Sequence, residues 1–164
     1  MNDFGPNTRV LTLAQIVDFR KKSANLKRRV VLTNGVFDLL HRGHLDYLNK
    51  SAQEGDILLI AVNSDISVKQ LKGPERPLNK EEDRAFALAN LRCVDAVFIF
   101  QGPRLDAEIR AIKPDIYTKA GDYTIETLDE GERSALLENN VEICFMPFTA
   151  GRSTTSLIQR MKSS

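Results

Sequence analysis

Few residues in this sequence can bind a metal ion or form a disulfide. The chain has two cysteines and two histidines among 164 residues. Cys93 and Cys144 stand far apart, and neither a CxxC pair nor a third histidine accompanies them. A zinc site or a disulfide is therefore not indicated. We expect both cysteines to be buried thiols of a protein in a reducing compartment.

The sequence also lacks a surplus of either charge. Its 23 Lys and Arg residues and 22 Asp and Glu residues leave a formal net charge of +1. This balance argues against a broad nucleic-acid or acidic-membrane surface but permits a local basic pocket. No apolar run approaches the roughly 20 residues of a membrane helix, and the first residues have no signal-peptide pattern. We therefore expect a cytoplasmic protein that binds neither nucleic acid nor membrane.

Two common nucleotide-binding motifs are missing. The sequence contains no GxGxxG and no GxxxxGK[ST]. A Rossmann dehydrogenase and a P-loop enzyme are therefore poorly supported.

Apolar strands and amphipathic helices alternate along the chain, for example in "RRVVL", "DILLIAVNSD" and "VDAVFIF". Alternation of this kind predicts a single α/β domain with a Rossmann-like open parallel sheet of about five strands and helices on both faces. We interpret residues 1–28 as an N-terminal helical extension, with a helix over residues 12–22, and residues 29–164 as the core. Asn79 and Pro103 are expected at helix starts, and a last helix is expected over residues 153–161.

Four segments carry polar residues to the carboxyl ends of predicted strands. In a parallel sheet, ligands bind at that edge, where the strand order reverses. The segments are "TNGVFDLLHRGH" (residues 33–44), "NSD" (63–65), "TKAGDY" (118–123) and "TAGRSTT" (149–155).

Both histidines lie in the first segment, at a strand-to-helix turn. Gly35 permits close approach of the backbone to a ligand. Gly43 separates His41 from His44 at a helix start, where backbone N–H groups and the helix dipole attract phosphate. Imidazole N–H groups can donate to phosphoryl oxygens and stabilise charge in a transition state. The alternative is that the two rings only cap the helix or fill a polar gap.

Other candidates have structural alternatives too. In "GRSTTSLI", Arg152 could bind an anion, or Ser153 and Thr154 could simply cap a helix. Lys119 could contact phosphate or only be solvated, and Asp122 could bind a ribose, a sugar hydroxyl or a metal ion.

The "KQLKGPERP" loop carries Lys69, Lys72 and Arg76, which could close over a second anionic substrate or remain solvated. Arg84 could do no more than pair with neighbouring acids. Asp38 could bind the backbone amides of its own loop.

The motifs resemble the HxGH nucleotidyltransferase superfamily, whose members are cytidylyltransferase-like. "HRGH" resembles its first signature and "RSTT" its second, and the likeness runs from about residue 30 to the end. Within the superfamily, "AVNSDISVKQLKGPERPLN", "KPDIYTKAGDY" and "GRSTTSLI" resemble the heptose 1-phosphate adenylyltransferases. That group usually has KGGDY, so Ala120 is a departure from its pattern.

The resemblance implies a nucleotidyltransferase fold and a reaction. D-glycero-β-D-manno-heptose 1-phosphate would attack the α-phosphorus of ATP and release pyrophosphate, giving ADP-heptose for lipopolysaccharide core biosynthesis. Mg²⁺ would bind through the phosphates rather than through a side-chain cluster. Many such domains are fused to a sugar kinase, whereas we expect this chain to be the stand-alone form. A homodimer is one option for its assembly.

The resemblance also implies roles for particular residues. Catalytic roles fall to His41, His44, Lys119 and Arg152. Nucleotide contacts fall to Thr33, Asn34, Gly35, Phe37, Gly43, His44, Gly121, Asp122, Arg152, Ser153, Thr154 and Thr155. We expect the second substrate to meet Asp38, Asn63, Asp65, Lys69, Lys72, Arg76 and Arg84.

Two other functions remain open at this point. One is a cytidylyltransferase for glycerol 3-phosphate or an aminoalcohol phosphate, because the side chains barely constrain the choice of base. The other is a nucleotide-binding regulatory module without catalysis.

Overall fold

The computed structural model describes residues 9–147, which contain a five-stranded parallel sheet. The strands are β1 (Val30–Gly35), β2 (Ile57–Asn63), β3 (Ala96–Phe100), β4 (Ile116–Ala120) and β5 (Glu142–Met146). Their order is β3-β2-β1-β4-β5, and every pairing is parallel. This confirms the predicted open sheet. Strands β2 and β3 follow β1 on one side, and β4 and β5 lie on the other side. The strand order therefore reverses between β1 and β4, which is the switch point.

Helices cover both faces of the sheet, as predicted. They are α1 (Leu13–Asn25), α2 (Arg42–Gln53), α3 (Asp65–Lys72), α4 (Glu81–Ala89), α5 (Asp106–Ile112) and α6 (Glu130–Glu138), with a 3₁₀ turn at Ile125–Thr127. Residues of α1, α5 and α6 pack in one hydrophobic cluster with the sheet. Residues of α2 and α4 pack in the other.

The strands divide their side chains between the two clusters. Val30 and Leu32 of β1 belong to the cluster beneath α1, α5 and α6, whereas Val31 belongs to the cluster beneath α2 and α4. All three side chains are buried. A strand that is buried on both faces needs a continuous apolar sequence, which explains the unbroken run in β2.

The N-terminal helix and the segment before it are part of this packing. Thr12 caps α1 in a capping box with Gln15, and Ile16 is buried in the core. Residues 9–11 pair with β3: the Leu11 amide donates to the Val97 carbonyl at 2.8 Å, and the Val97 amide donates to the Arg9 carbonyl at 2.8 Å. This short pairing covers the outer edge of β3.

Two predicted helix starts are wrong. Lys80, not Asn79, is the N-cap residue of α4, because the Asn79 amide and side chain both bind Asp38 instead. Helix α5 begins at Asp106, three residues after Pro103, because the Leu105 amide is held by Glu132. In both cases a contact with a distant residue decides where the helix begins.

Three other predictions concern features away from the sheet. Both cysteines are free thiols, but they are only partly buried, which corrects the expectation of buried thiols. Among residues 9–147, no helix is both long enough and apolar enough to cross a membrane. The predicted helix over residues 153–161 lies outside the described residues.

Candidate active site

A cavity of about 450 Å³ lies over the carboxyl ends of β1, β2 and β4, at the switch point. It brings together eight of the predicted site residues, which are Asn34, Gly35, Phe37, Gly43, His44, Asn63, Lys72 and Lys119. The remaining lining residues are Val36, Tyr47, Leu71, Pro103, Arg104, Ala120, Tyr123 and Glu132.

His41 is the N-cap residue of α2. Its Nδ1 atom accepts a hydrogen bond from the Gly43 amide at 3.1 Å. The capping role that we considered as an alternative is therefore present, and this amide is engaged within the protein. Because Nδ1 accepts, a neutral His41 ring carries its proton on Nε2, which makes Nε2 a donor.

His44 stacks on His41, with ring centroids 3.9 Å apart and ring planes 24° apart. The Phe37 ring meets His44 edge-on at 5.5 Å. The Nδ1 atom of His44 is buried and the residue lines the cavity, so a ligand that contacts a nitrogen of this ring would meet Nε2. Burial lowers the pKa of His44 to about 4, and the charges of His41 and Lys72 act in the same direction. His44 is therefore a neutral imidazole at pH 7.

We expect this neutral ring to make the free energy of unfolding depend on pH. Between about pH 6.5 and pH 4 the unfolded chain binds a proton at His44 that the folded chain does not. The folded state therefore loses stability as the pH falls through this range, by at most about 3 kcal/mol. Urea unfolding at about pH 7 and about pH 4.5 measures the loss. His44→Gln should lose less than the wild type, and equal losses would contradict a lowered pKa.

Gly35 and Phe37 shape the turn between β1 and α2. A Cβ atom at Gly35 would lie 2.9 Å from the Phe37 ring, and Phe37 itself has a φ of 49°. A left-handed backbone is uncommon for a bulky residue. Gly35 is therefore required by the packing of Phe37, whatever a ligand demands.

Lys119 and Asn34 face the cavity from the ends of β4 and β1. The Asn34 Oδ1 atom accepts from Lys119 Nζ at 2.9 Å and from the Tyr117 hydroxyl at 2.7 Å. Since Oδ1 is used twice, the Asn34 NH₂ group remains as a donor for a ligand. Burial lowers the pKa of Lys119, and the Glu132 carboxylate opposes that shift.

Glu132, a buried carboxylate in the first turn of α6, is not among the residues predicted from sequence. Glu132 lines the cavity together with Arg104, which was not predicted either. The sequence does contain a signal for Glu132. This residue lies three and four residues before the buried Ala135 and Leu136, on the same face of the helix. An acid on the apolar face of a helix is unusual enough to indicate a buried partner.

A hydroxyl network lies beneath the cavity. The Thr33 Oγ1 and Tyr47 hydroxyl oxygens are 2.6 Å apart, the Tyr47 hydroxyl donates to Thr118 at 3.2 Å, and Thr118 donates to Ser51 at 2.9 Å. Thr33 is completely buried and does not line the cavity. Its side chain therefore supports the base of the cavity.

The structure does not bring Asp38 and Arg76 to the cavity. The Asp38 carboxylate accepts from the Leu78 and Asn79 amides at 2.9 Å and from the Arg76 guanidinium at 2.7 Å. Burial alone would raise the pKa of Asp38, but these donors together hold it below the usual value. The pair anchors the loop between α3 and α4. Asp38 therefore binds backbone amides, but those of this distant loop rather than of its own.

Arg84 and Asp65 are engaged with each other as well. The guanidinium of Arg84 donates to Asp65 at 2.8 Å and to the carbonyls of Val36 at 2.6 Å and Asn63 at 2.7 Å. Arg84 is buried and does not line the cavity. It ties the end of β2 to the turn after β1 and supports the residues that line the cavity.

The other predicted residues do not line the cavity. Lys69 and Asp122 are exposed, and Gly121, with a φ of 121°, donates its amide to the Met146 carbonyl at 2.9 Å. Ala120 ends β4 opposite Met146 and packs against the core. The Cβ of Ala120 is thus accommodated, because the left-handed conformation falls on Gly121. Arg152, Ser153, Thr154 and Thr155 lie outside the described residues.

Comparisons with known proteins show the family of this chain. Residues 32–160 match the model of the cytidylyltransferase-like family. The bifunctional protein HldE of Helicobacter acinonychis is 40% identical over 154 residues, or 94% of this chain, and that of Nitratiruptor sp. is 44% identical over 136 residues, or 83%. The matches span 31% and 28% of those relatives, so the chain covers about a third of their length.

Two solved structures are similar in fold. A lipopolysaccharide core biosynthesis protein from Thermoplasma volcanium superposes with a TM-score of 0.60 at 28% identity, covering 74% of this chain and 97% of its own. A pantoate-beta-alanine ligase from Francisella tularensis superposes with a TM-score of 0.56 at 13% identity over 89% of this chain and 69% of its own, which shows a shared fold alone. Because the family model covers most of the chain, from the middle of β1 to residue 160, the protein belongs to the cytidylyltransferase-like family of nucleotidyltransferases.

Proposed function

We propose that this chain joins ATP and D-glycero-β-D-manno-heptose 1-phosphate to form ADP-heptose and pyrophosphate. The observation that carries the proposal is the stacked pair of histidines at the start of α2, beside the cavity at the switch point. The names of the relatives, HldE and a lipopolysaccharide core biosynthesis protein, support a role in making the lipopolysaccharide core. The motif resemblance to heptose 1-phosphate adenylyltransferases supports the choice of sugar.

The reaction needs positioning more than it needs a protein nucleophile. An oxygen of the sugar phosphate bonds to the α-phosphorus of ATP, and the bond from that phosphorus to the bridging oxygen of the β-phosphate breaks. The sugar phosphate is already ionised at neutral pH, so no side chain has to be activated. What remains for the protein is to align two anions and to stabilise charge on the phosphoryl oxygens.

The two imidazoles suit that second task. The Nδ1 atom of His41 holds the Gly43 amide, which leaves Nε2 as the nitrogen of that ring that can donate, and His44 is neutral and lines the cavity. N–H donors at fixed positions can stabilise a phosphoryl oxygen without reorganisation during the reaction. Stacking of the rings limits the freedom of both.

Cationic side chains on different walls suit the binding of two anionic substrates. Lys72, at the end of α3, lies on the side of His44, and Lys119, at the end of β4, lies on the side of Glu132. Arg104 adds a third positive group, which pairs with Asp129 at 2.9 Å. These charges offset part of the repulsion between a triphosphate and a sugar phosphate.

Mg²⁺ is expected to accompany the triphosphate. Within residues 9–147, no group of three or more His, Cys, Asp or Glu could hold a metal ion. Glu132 lines the cavity, but its carboxylate is engaged with Leu105 and Lys119. These residues fit an ion that is held by phosphate oxygens, and such an ion would neutralise charge on the departing pyrophosphate.

Release of pyrophosphate tests the proposal. ATP, CTP, GTP and UTP are each supplied with heptose 1-phosphate, with glycerol 3-phosphate and with phosphocholine, and the nucleotide product is identified by mass. We expect pyrophosphate and ADP-heptose from ATP and heptose 1-phosphate. The His44→Ala protein serves as the control that turnover belongs to this site.

The same assay separates the other functions. Turnover of CTP alone, or of glycerol 3-phosphate in place of the heptose, would favour the alternative of a cytidylyltransferase, the activity after which the family is described. Normal binding of ATP with no pyrophosphate from any sugar phosphate would favour a regulatory module.

A further inference from the structure

We propose that Glu132 is a positioning residue that holds the Lys119 ammonium group in its charged form and directs it at an anionic substrate. The inference rests on the proposed function in one respect, namely that the cavity receives phosphorylated substrates. Nothing in the sequence motifs assigns a role to Glu132.

The two carboxylate oxygens of Glu132 have separate partners. Oε1 accepts from the Leu105 amide at 3.1 Å, just before α5, and Oε2 lies 3.7 Å from Lys119 Nζ. The residue is only 4% exposed. A buried carboxylate is costly unless it is paired, so Glu132 and Lys119 form one unit.

Lys119 has one loosely held hydrogen. Nζ donates to Asn34 Oδ1 at 2.9 Å and to the Tyr117 hydroxyl at 3.1 Å, while Glu132, at 3.7 Å, is beyond ordinary hydrogen-bond length. The first two bonds fix the position of the ammonium group. The third hydrogen can turn to a phosphate oxygen in the cavity while the carboxylate stays close enough to retain the charge.

The charged groups around Lys119 divide in their effect. Burial lowers the pKa of Lys119, Glu132 opposes this, Arg104 lowers the pKa further, and Asp129 raises it. Tyr117 and Tyr123 place their rings 5.7 Å and 5.5 Å from Nζ. Asn34 on β1 is uncharged. Glu132 is the anion nearest to Lys119 within the described residues and therefore opposes its loss of a proton most strongly.

A purely structural role for Glu132 would consist of holding the start of α5 through Leu105. Glu132→Gln separates the two roles, because the amide oxygen can still accept from the Leu105 N–H group while the charge is gone. Lys119→Met is the matched variant, because it removes the group through which Glu132 is proposed to act.

The test is the pH dependence of binding, measured by calorimetry for α,β-methylene-ATP and for heptose 1-phosphate. In the wild type, affinity for at least one ligand should fall at alkaline pH as Lys119 loses its proton. Glu132→Gln should move that fall at least about one pH unit lower. In the Lys119→Met background, Glu132→Gln should cause no further shift.

The proposal is overturned if Glu132→Gln leaves the alkaline fall where it is for both ligands, or if the shift persists in the Lys119→Met background. Circular dichroism at each pH ensures that only folded protein is compared. Failure to form ADP-heptose would contradict the proposed function, but it would not alter these binding titrations.

Discussion

Replacing His44 with alanine is expected to lower kcat at least about a hundredfold while ATP affinity changes modestly. His44 is a neutral imidazole that lines the cavity, and its Nδ1 atom is buried. We expect its Nε2 atom to donate to the phosphoryl group. A neutral N–H group adds little to the binding of a triphosphate, but it gains strength as negative charge grows on the phosphoryl oxygens. Steady-state rates of pyrophosphate release and calorimetric binding of α,β-methylene-ATP measure the two quantities separately.

Two conservative variants sharpen this test. The side-chain amide of glutamine can place its N–H donor near the position of Nε2, whereas that of asparagine lies nearer the position of the buried Nδ1. His44→Gln should therefore retain more activity than His44→Asn. Equal losses of kcat and of ATP affinity in His44→Ala would indicate a role in ground-state binding and contradict the transition-state role.

Replacing Arg84 with methionine is expected to lower the free energy of unfolding by about 3 to 5 kcal/mol. The guanidinium of Arg84 donates to three carbonyl groups, those of Val36, Asn63 and Asn79, as well as to Asp65. Methionine fills a similar volume but leaves these acceptors without their donor, and buried unsatisfied acceptors are costly. Urea unfolding followed by circular dichroism measures the loss.

Two controls belong with this prediction. Arg84→Lys keeps the charge but cannot reach all four acceptors, so we expect an intermediate loss. Arg92 is exposed, and Arg92→Met should change stability by no more than about 0.5 kcal/mol. A loss for Arg84→Met as small as that for Arg92→Met would show that the network does not stabilise the fold.

The sheet and the histidine pair could be predicted from sequence because each leaves a local signal. Unbroken apolar runs such as that of β2 occur where both faces of a strand are buried, and they predict a parallel sheet. The HxGH spacing predicts rings close together because it spans a single helix start. The polar residues that follow these strands then had to meet at one edge, and Asn34, Asn63 and Lys119 do.

The roles of the other charged residues could not be predicted, because they depend on contacts between distant segments. Asp38 and Arg84 read as candidates for substrate binding, yet both are buried against backbone groups up to about fifty residues away. Glu132 was not among the predicted site residues, yet it lines the cavity. Whether a charged side chain faces a ligand or a backbone carbonyl depends on which distant loop packs beside it. The spacing of residues in the sequence does not show which loop that is.

The pairing of residues 9–11 with β3 has a practical consequence for handling this protein. Without those residues, Val97 would present an unpaired N–H and C=O at the margin of a twisted sheet, where a second molecule could add its own strand. Shortened versions that begin at Thr12 would therefore be prone to self-association and precipitation, even though the histidines and the cavity lie at a different part of the sheet.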